Sequence, residues 1–207
     1  KLVSIRTSYL NIEESDNLIS KLENIIGPFN YESKDSRQIG PKLGKRLLIN
    51  GIKSLLVSLV AISLYITIRF DKKYAFYALL ALFHDLFIVF GIFSWLGILL
   101  SVEVNSLFAV SLLTIAGYSV NDTVVIFDRI RENLRTRDQD YNDIIQLSVN
   151  ESFRRTIFTS ITTLIPLLTL ILFGSYSLFW FSISLSLGII VGSYSSILLA
   201  PSFLLKD

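Results

Sequence analysis

Cysteine is missing from this 207-residue chain, so disulfides, thiol catalysis and cysteine-based metal sites are excluded. A single histidine excludes a multi-histidine metal centre. No glycine-rich phosphate loop is present, and no paired-carboxylate signature accompanies a plausible soluble cleft. Methionine is missing too, and the chain begins at Lys1, which leads us to expect further sequence upstream. The start shows no basic stretch followed by an apolar run and a small-residue cleavage site, the pattern of a signal peptide. What is abundant is apolar surface: 52% of residues are hydrophobic, and the mean hydropathy is +0.58. Apolar runs of 18 or more residues recur, and such runs read as membrane helices. The expected class is an α-helical polytopic membrane protein. The net charge of +2 says little; the placement of the charges says more.

Residues 1–45 are polar enough to be soluble. Lys1–Leu10 alternates loosely, as a strand would. Asn11 suits a helix N-cap, with Glu13 and Glu14 in the first turn. Leu18, Ile19, Leu22, Ile25 and Ile26 recur at helical spacing, and Gly27-Pro28 ends the pattern. Phe29–Ile39 reads as a second strand. The β-α-β order amounts to half of a small α+β domain, with too little core to stand alone.

The rest, 46–207, reads as a transmembrane domain of five spans at about Leu47–Ile68, Tyr74–Leu100, Leu107–Phe127, Ile157–Phe173 and Leu178–Leu199. Pro166 lies in the middle of the fourth, where it frees a backbone carbonyl. The loop around Arg69, Lys72 and Lys73 is basic. So is the long loop from Asp128 to Arg155, with Arg129, Arg131, Arg135, Arg137, Arg154 and Arg155. The opposite loops, Ser101–Ser106 and Gly174–Ser177, carry neither Lys nor Arg. Basic loops stay cytoplasmic, so the N-terminal segment is expected outside and the C-terminus in the cytoplasm. Asp128, Glu132, Asp138, Asp140 and Asp143 share the arginine loop, which fits lipid headgroups better than nucleic acid. Trp95 and Trp180, near the outer ends, fit an interfacial aromatic belt.

Three polar sites break the apolar pattern. Asp122, flanked by Asn121 and Thr123, lies in the third span. An ionised carboxylate at that depth costs roughly 2.5–3.5 kcal/mol on insertion scales, so it should face the bundle interior or a water-filled cavity. There it is either a group that takes up and releases protons or a buried structural hydrogen bond. Thr114, Gly117, Tyr118 and Asn121 form a polar stripe alongside it. His84-Asp85 interrupts the second span. Neighbours on a helix point about 100° apart, so each is expected to reach a different partner, as polar glue or in function. Arg154-Arg155 begins the fourth span and by position alone marks orientation or snorkels to the interface. Finally, Ser184, Gly188, Gly192 and Ser196 repeat every four residues, spacing that lets two helices approach closely.

The run from Gly117 through Asn121-Asp122-Thr123 to Phe127-Asp128-Arg129-Ile130-Arg131-Glu132-Asn133 resembles the signature of the SecF family. These are membrane subunits of bacterial SecDF protein-export complexes, related to the RND transporter superfamily. Ile39-Gly40-Pro41-Lys42-Leu43-Gly44, Leu82-Phe83-His84-Asp85 and Arg155-Thr156-Ile157-Phe158-Thr159-Ser160-Ile161-Thr162-Thr163 agree with that family in order and spacing. The resemblance covers nearly the whole chain. It implies an RND-permease-like bundle whose five spans match the second to sixth of six, with 1–45 the C-terminal part of a periplasmic, partly α+β (ferredoxin-like) domain. The family's first span, and the glycine motif near it, would lie upstream.

The resemblance also implies a role: an accessory subunit of the Sec translocase, not an enzyme, that uses the proton-motive force to promote protein export. Asp122 and Arg155 match the family's proton-relay residues, with Asn121, Thr123, His84 and Asp85 as supporting polar groups. No cofactor is implied, protons being the coupling ion. The implied partners are SecD, the SecYEG channel with SecA and YidC/YajC, a translocating preprotein and membrane lipids, but no nucleic acid. The implied location is the plasma (inner) membrane, a thylakoid membrane being the other compartment compatible with it. An RND-type proton-coupled exporter of small molecules or lipids shares the same helix and aspartate and is the alternative. An intramembrane enzyme is weaker still, because no Ser/Lys, Asp/Asp or metal-ligand pattern has suitable spacing.

Overall fold

The computed structural model describes residues 10–27, 41–102 and 105–205. They form helices α1 (Ile12–Ile26), α2 (Pro41–Arg69), α3 (Lys72–Leu100), α4 (Ser106–Thr136), α5 (Tyr141–Phe173) and α6 (Tyr176–Tyr194). A π-helical turn, Ser195–Leu199, then leads into α7 (Ala200–Leu205). Among the described residues there is no strand. The two strands expected over 1–10 and 29–39 lie outside the described residues, apart from Leu10, which is not in a strand.

The chain divides into two compact units, Lys1–Ile49 and Asn50–Asp207. In the first, the capping signal works as read. The Asn11 side chain accepts from Glu14 N–H at 2.8 Å, and the Glu14 carboxylate accepts from Asn11 N–H at 2.9 Å. Gly27 ends the helix at φ 102°, a conformation that disfavours a Cβ. None of the α1 residues is buried.

The second unit is a multi-pass helical bundle. Among the described residues, five helices are long and apolar enough to cross a membrane: Arg46–Arg69, Lys72–Leu100, Ser106–Thr136, Tyr141–Phe173 and Tyr176–Leu205. The third and fourth differ from the sequence reading. The loop expected from Asp128 to Arg155 is mostly helix, and α4 and α5 join through 137–140 alone. At 33 residues α5 is about 50 Å long, well beyond the roughly 30 Å of hydrocarbon, so its charged first turns extend past the apolar segment. These turns are helical because they have their own buried stripe. Ile130 and Asn133 on α4 and Ile144, Ile145 and Ser148 on α5 are buried at helical spacing. Helix α5 also continues through Pro166, an exposed position.

Aromatic clusters close the two ends of the bundle. At the basic end, Phe127 meets Tyr74 edge-on at 5.5 Å and Phe70 at 6.3 Å. At the other end, Phe93 packs on Phe108 at 4.8 Å and edge-on to Trp180 at 6.3 Å. Trp95 is exposed, whereas Trp180 is half-buried.

Between them α4 and α6 run in the same direction in a four-residue register. Ser111 meets Ser184, with hydroxyls 2.6 Å apart, and Thr123 meets Ser196 at 2.8 Å. A Cβ on Gly188 would strike the buried Ile115 side chain, and one on Gly192 would come within 3.2 Å of Ser119 Cβ. The small-residue stripe is therefore a packing seam in which glycine and serine let the two helices close in.

Candidate functional site

Asp122 points into the bundle from the middle of α4 and is 3% exposed. Its Oδ2 is buried with no hydrogen-bond partner among the described residues. Only two other buried side-chain atoms there share that condition, Ser182 Oγ and Ser186 Oγ, and neither can ionise. Tyr118, one turn back on α4, and Arg155, on α5, interact with Asp122 through space. Arg155 is exposed, so its cation reaches Asp122 as a field and not as a contact. The Tyr118 hydroxyl donates to Ser160 Oγ at 3.0 Å, and Ser160 in turn lies 2.5 Å from Ser193 Oγ. Hydroxyls from α4, α5 and α6 thus meet one another, and that of Tyr118 feels the Asp122 charge.

Asp85 lies elsewhere in the same interior and is fully buried. Its Oδ2 accepts from Ser119 Oγ on α4 at 2.5 Å and from Ser195 Oγ in the π-helical turn at 2.6 Å. Its Oδ1 lies 2.9 Å from His84 Nδ1. This corrects the expectation that His84 and Asp85, diverging on the helix, would reach different partners. The angle between successive side chains separates their Cβ atoms, but the imidazole and the carboxylate are long enough to fold back toward each other. His84 is half-buried and Asp85 completely so.

Of the other residues read as supporting groups, Thr123 is buried and bonded to Ser196, beside Asp122 in sequence. Asn121 occupies the exposed face of α4 with Thr114 and Gly117, and makes no hydrogen bond among the described residues. The polar stripe is thus split: Tyr118 and Asp122 face inward, and Asn121 does not. Sequence reasoning missed Ser119, Ser160, Ser193 and Ser195. Ser119 had a signal, standing one turn before Asp122. Ser195 had none, because serine beside a π-helical turn looks like any other small residue. Among the described residues no group of three or more His, Asp or Glu could hold a metal ion.

The charged ends of α4 and α5 form a separate cluster. The Glu151 carboxylate accepts from Asn133 Nδ2 at 2.9 Å, Arg129 Nε at 2.6 Å and Arg137 at 2.9 Å. Asp128 accepts from Arg69 at 2.9 Å, and Arg131 donates to the Arg69 carbonyl at 3.2 Å. These bonds fix the helical hairpin and connect it to the end of α2.

The family described as protein export membrane protein SecD/SecF, C-terminal, matches residues 18–206. The protein translocase subunit SecF of Prochlorococcus marinus is 52% identical over 205 residues, covering 99% of this chain and 64% of that protein. The protein of the same name from Synechocystis is 44% identical over 97% of this chain and 64% of its own length. This chain therefore spans just under two thirds of the length of these relatives. Among solved structures, SecDF of Thermus thermophilus, described as a translocon-associated membrane protein, is 34% identical with a TM-score of 0.79. It matches 95% of this chain and 27% of its own. A second SecDF structure, in a form called super-membrane-facing, gives a TM-score of 0.73 at the same identity, over 95% of this chain and 26% of its own. With its five apolar helices and its inward-facing carboxylate, this chain belongs to the SecD/SecF C-terminal family of protein-export membrane proteins.

Proposed function

We propose that this chain is the membrane-embedded part of a Sec translocase subunit that uses the proton-motive force to promote protein export, with Asp122 as its proton relay. The observation that carries the reading is the buried Asp122 oxygen without a hydrogen-bond donor, close enough to Arg155 to sense its charge. A carboxylate with its own donors is held in one protonation state; one without them is free to exchange a proton with water or a neighbour. Arg155 supplies a cation that attracts the ionised form and loses its counter-charge when the proton binds. The hydroxyls of Tyr118, Ser160 and Ser193 form a bonded chain across α4, α5 and α6.

Protonation would then switch one local attraction off, and the α3–α6 packing would move between two arrangements. One charge crossing 100 mV is worth about 2.3 kcal/mol, enough to bias a two-state movement but not to reverse a strongly one-sided equilibrium. The partners of this reading are SecD, the SecYEG channel with SecA and YidC/YajC, a preprotein and the surrounding lipid. The segment 1–45 is then the C-terminal part of a periplasmic domain. The basic end faces the cytoplasm, in a plasma or thylakoid membrane. The chain acts as a transport component and not as an enzyme, with the proton as coupling ion.

The test is Asp122→Asn in the full-length protein with its partner subunit, assayed in inverted membrane vesicles with a radiolabelled preprotein. The variant is expected in the membrane at normal levels, with the proton-dependent part of export lost. Export at the normal rate and with normal sensitivity to a protonophore would sink the relay.

A further inference from the structure

Asp85 is as deeply buried as Asp122, yet nothing in the relay uses it. Its three neighbours come from three places: Ser119 on α4, Ser195 in the π-helical turn, and His84 on α3. The π turn is a local widening in which Ala200 N–H donates to Ser195 O, five residues back. Such turns inside α-helices occur often at functional sites. Here the turn presents two successive serines to two different helices. Ser195 bonds Asp85 on α3, while Ser196 bonds Thr123 Oγ1 at 2.8 Å and the Ser119 carbonyl at 3.3 Å on α4. The backbone comes close as well, since a Cβ on Gly192 would sit 3.7 Å from Asp85 Oδ2. Ser119 and Thr123 bracket Asp122 by three residues and by one. Both grips on this stretch of α4 lead to the π turn, and Asp85 bonds one grip and the turn directly.

We propose that Asp85 is the positioning residue for Asp122: by bonding Ser119 and Ser195 together it sets the register between α4 and the π turn, and so holds Asp122 in a buried place with no donor. The proposal rests on the relay reading and adds a residue to it. Asp85 need not exchange a proton itself. Two hydroxyls converge on one of its oxygens, an arrangement that asks for an acceptor and that an amide reproduces only in part. The titratable groups facing the two carboxylates are His84 on α3, Tyr118 on α4 and Arg155 on α5. From α6 and the π turn the groups that face them are hydroxyls.

A brace that merely stabilised the bundle would affect how much protein is present. A positioning residue also changes how the relay responds to pH. The experiment uses the full-length protein with its partner subunit in inverted vesicles. Proton-driven export is measured across a pH series for wild type, Asp85→Asn, Ser195→Ala and Asp122→Asn, each normalised to protein in the membrane. Asp85→Asn is expected to lower the normalised rate about ten- to a hundredfold, the loss that follows a small misplacement of a working group, and to displace the pH midpoint. Ser195→Ala, which keeps Asp85 and removes one bond, should displace the midpoint in the same direction by less, and it carries the test if Asp85→Asn does not accumulate. If Asp122→Asn abolishes proton-driven export but both other variants keep the wild-type midpoint and normalised rate, Asp85 is only a brace and the proposal is overturned. If Asp122→Asn exports normally, the relay reading itself falls, and the premise of the proposal with it.

Discussion

Two aspartates lie buried in one membrane bundle, on successive helices, and the protein treats them in opposite ways. Asp85 has a hydroxyl from α4, a hydroxyl from the π-helical turn and an imidazole nitrogen within hydrogen-bond distance. Asp122 has an oxygen with no donor and an arginine that reaches it only through its charge. Depth in the membrane is therefore a poor guide to what a carboxylate does there. Its donors are the better guide. Hydroxyls from α4 and the π-helical turn, with a neighbouring imidazole on its own helix, make Asp85 a joint, costly to disturb because the buried Ser119 hydroxyl would be left unsatisfied. A carboxylate without donors contributes little to the fold, so its presence in a membrane helix needs another reason.

The contrast predicts an asymmetry in stability. Asp85→Ala removes three bonds, each worth about 0.6–1.7 kcal/mol in a membrane, and strands the buried Ser119 hydroxyl while Ser195 keeps the Gly192 carbonyl, so unfolding should become easier by about 3 kcal/mol. Asp122→Asn removes no hydrogen bond seen in the structure and replaces a costly buried charge with a neutral amide, so it should destabilise far less than Asp85→Ala. Thermal unfolding of the purified full-length protein in detergent measures both. Equal losses from the two substitutions would break the comparison. The seam that carries Ser119 and Ser196 can be attacked without touching either aspartate. Gly188→Val would drive a branched side chain into Ile115 and force α4 and α6 apart, at a cost of about 1–3 kcal/mol. In the same melting assay an unchanged transition would show that the four-residue register is not under strain. Smaller still is the Ser111–Ser184 pair. A double-mutant cycle to alanine should give a coupling near 0.6 kcal/mol, because Ser111 also bonds the Phe108 carbonyl and is not left bare.

How far this was legible in the sequence depended on the range of the signal. The α1 cap and stop, the apolar helices and the Ser184–Ser196 stripe are local patterns, and each appears in the fold. The extension of α4 and α5 through 128–155 was not read, because its charges lower the hydropathy. Yet Ile126, Ile130 and Asn133, with Ile144, Ile145 and Ser148, keep helical spacing and could have revealed it. The inward placement of Asp122 followed from membrane energetics alone. That Asp85 is the fully bonded one did not, since its donors lie 34 and 110 residues away and only the packing of three helices brings them together. The fold-back of His84 onto Asp85 was misjudged because helix angles describe where side chains start, not how far they reach.

A third carboxylate sharpens the comparison from outside the apolar region. Glu151 combines the many donors of Asp85 with exposure to solvent. The bond from Asn133, followed by that from Arg129, holds its pKa below the usual carboxylate range, with Arg137 adding to the effect. A carboxyl group whose folded value is depressed contributes stability that is fully present above its unfolded value and is lost as pH falls through the folded one. The α4–α5 hairpin should therefore be indifferent to pH from neutrality down to the ordinary carboxylate range, and should loosen only below it. Salt should weaken it wherever Glu151 is ionised, because the arginine pairs are exposed. Limited proteolysis across the 137–140 turn, followed against pH, reads the loosening directly. Glu151→Gln should remove most of the pH dependence while leaving the Asn133–Ser148 bond in place. Cleavage that rises between pH 7 and 5 would assign the hairpin's stability to some other group. A flat profile in both proteins would make Glu151 an exposed ornament, and it would then be burial combined with donors, not donors alone, that sets Asp85 apart from Asp122.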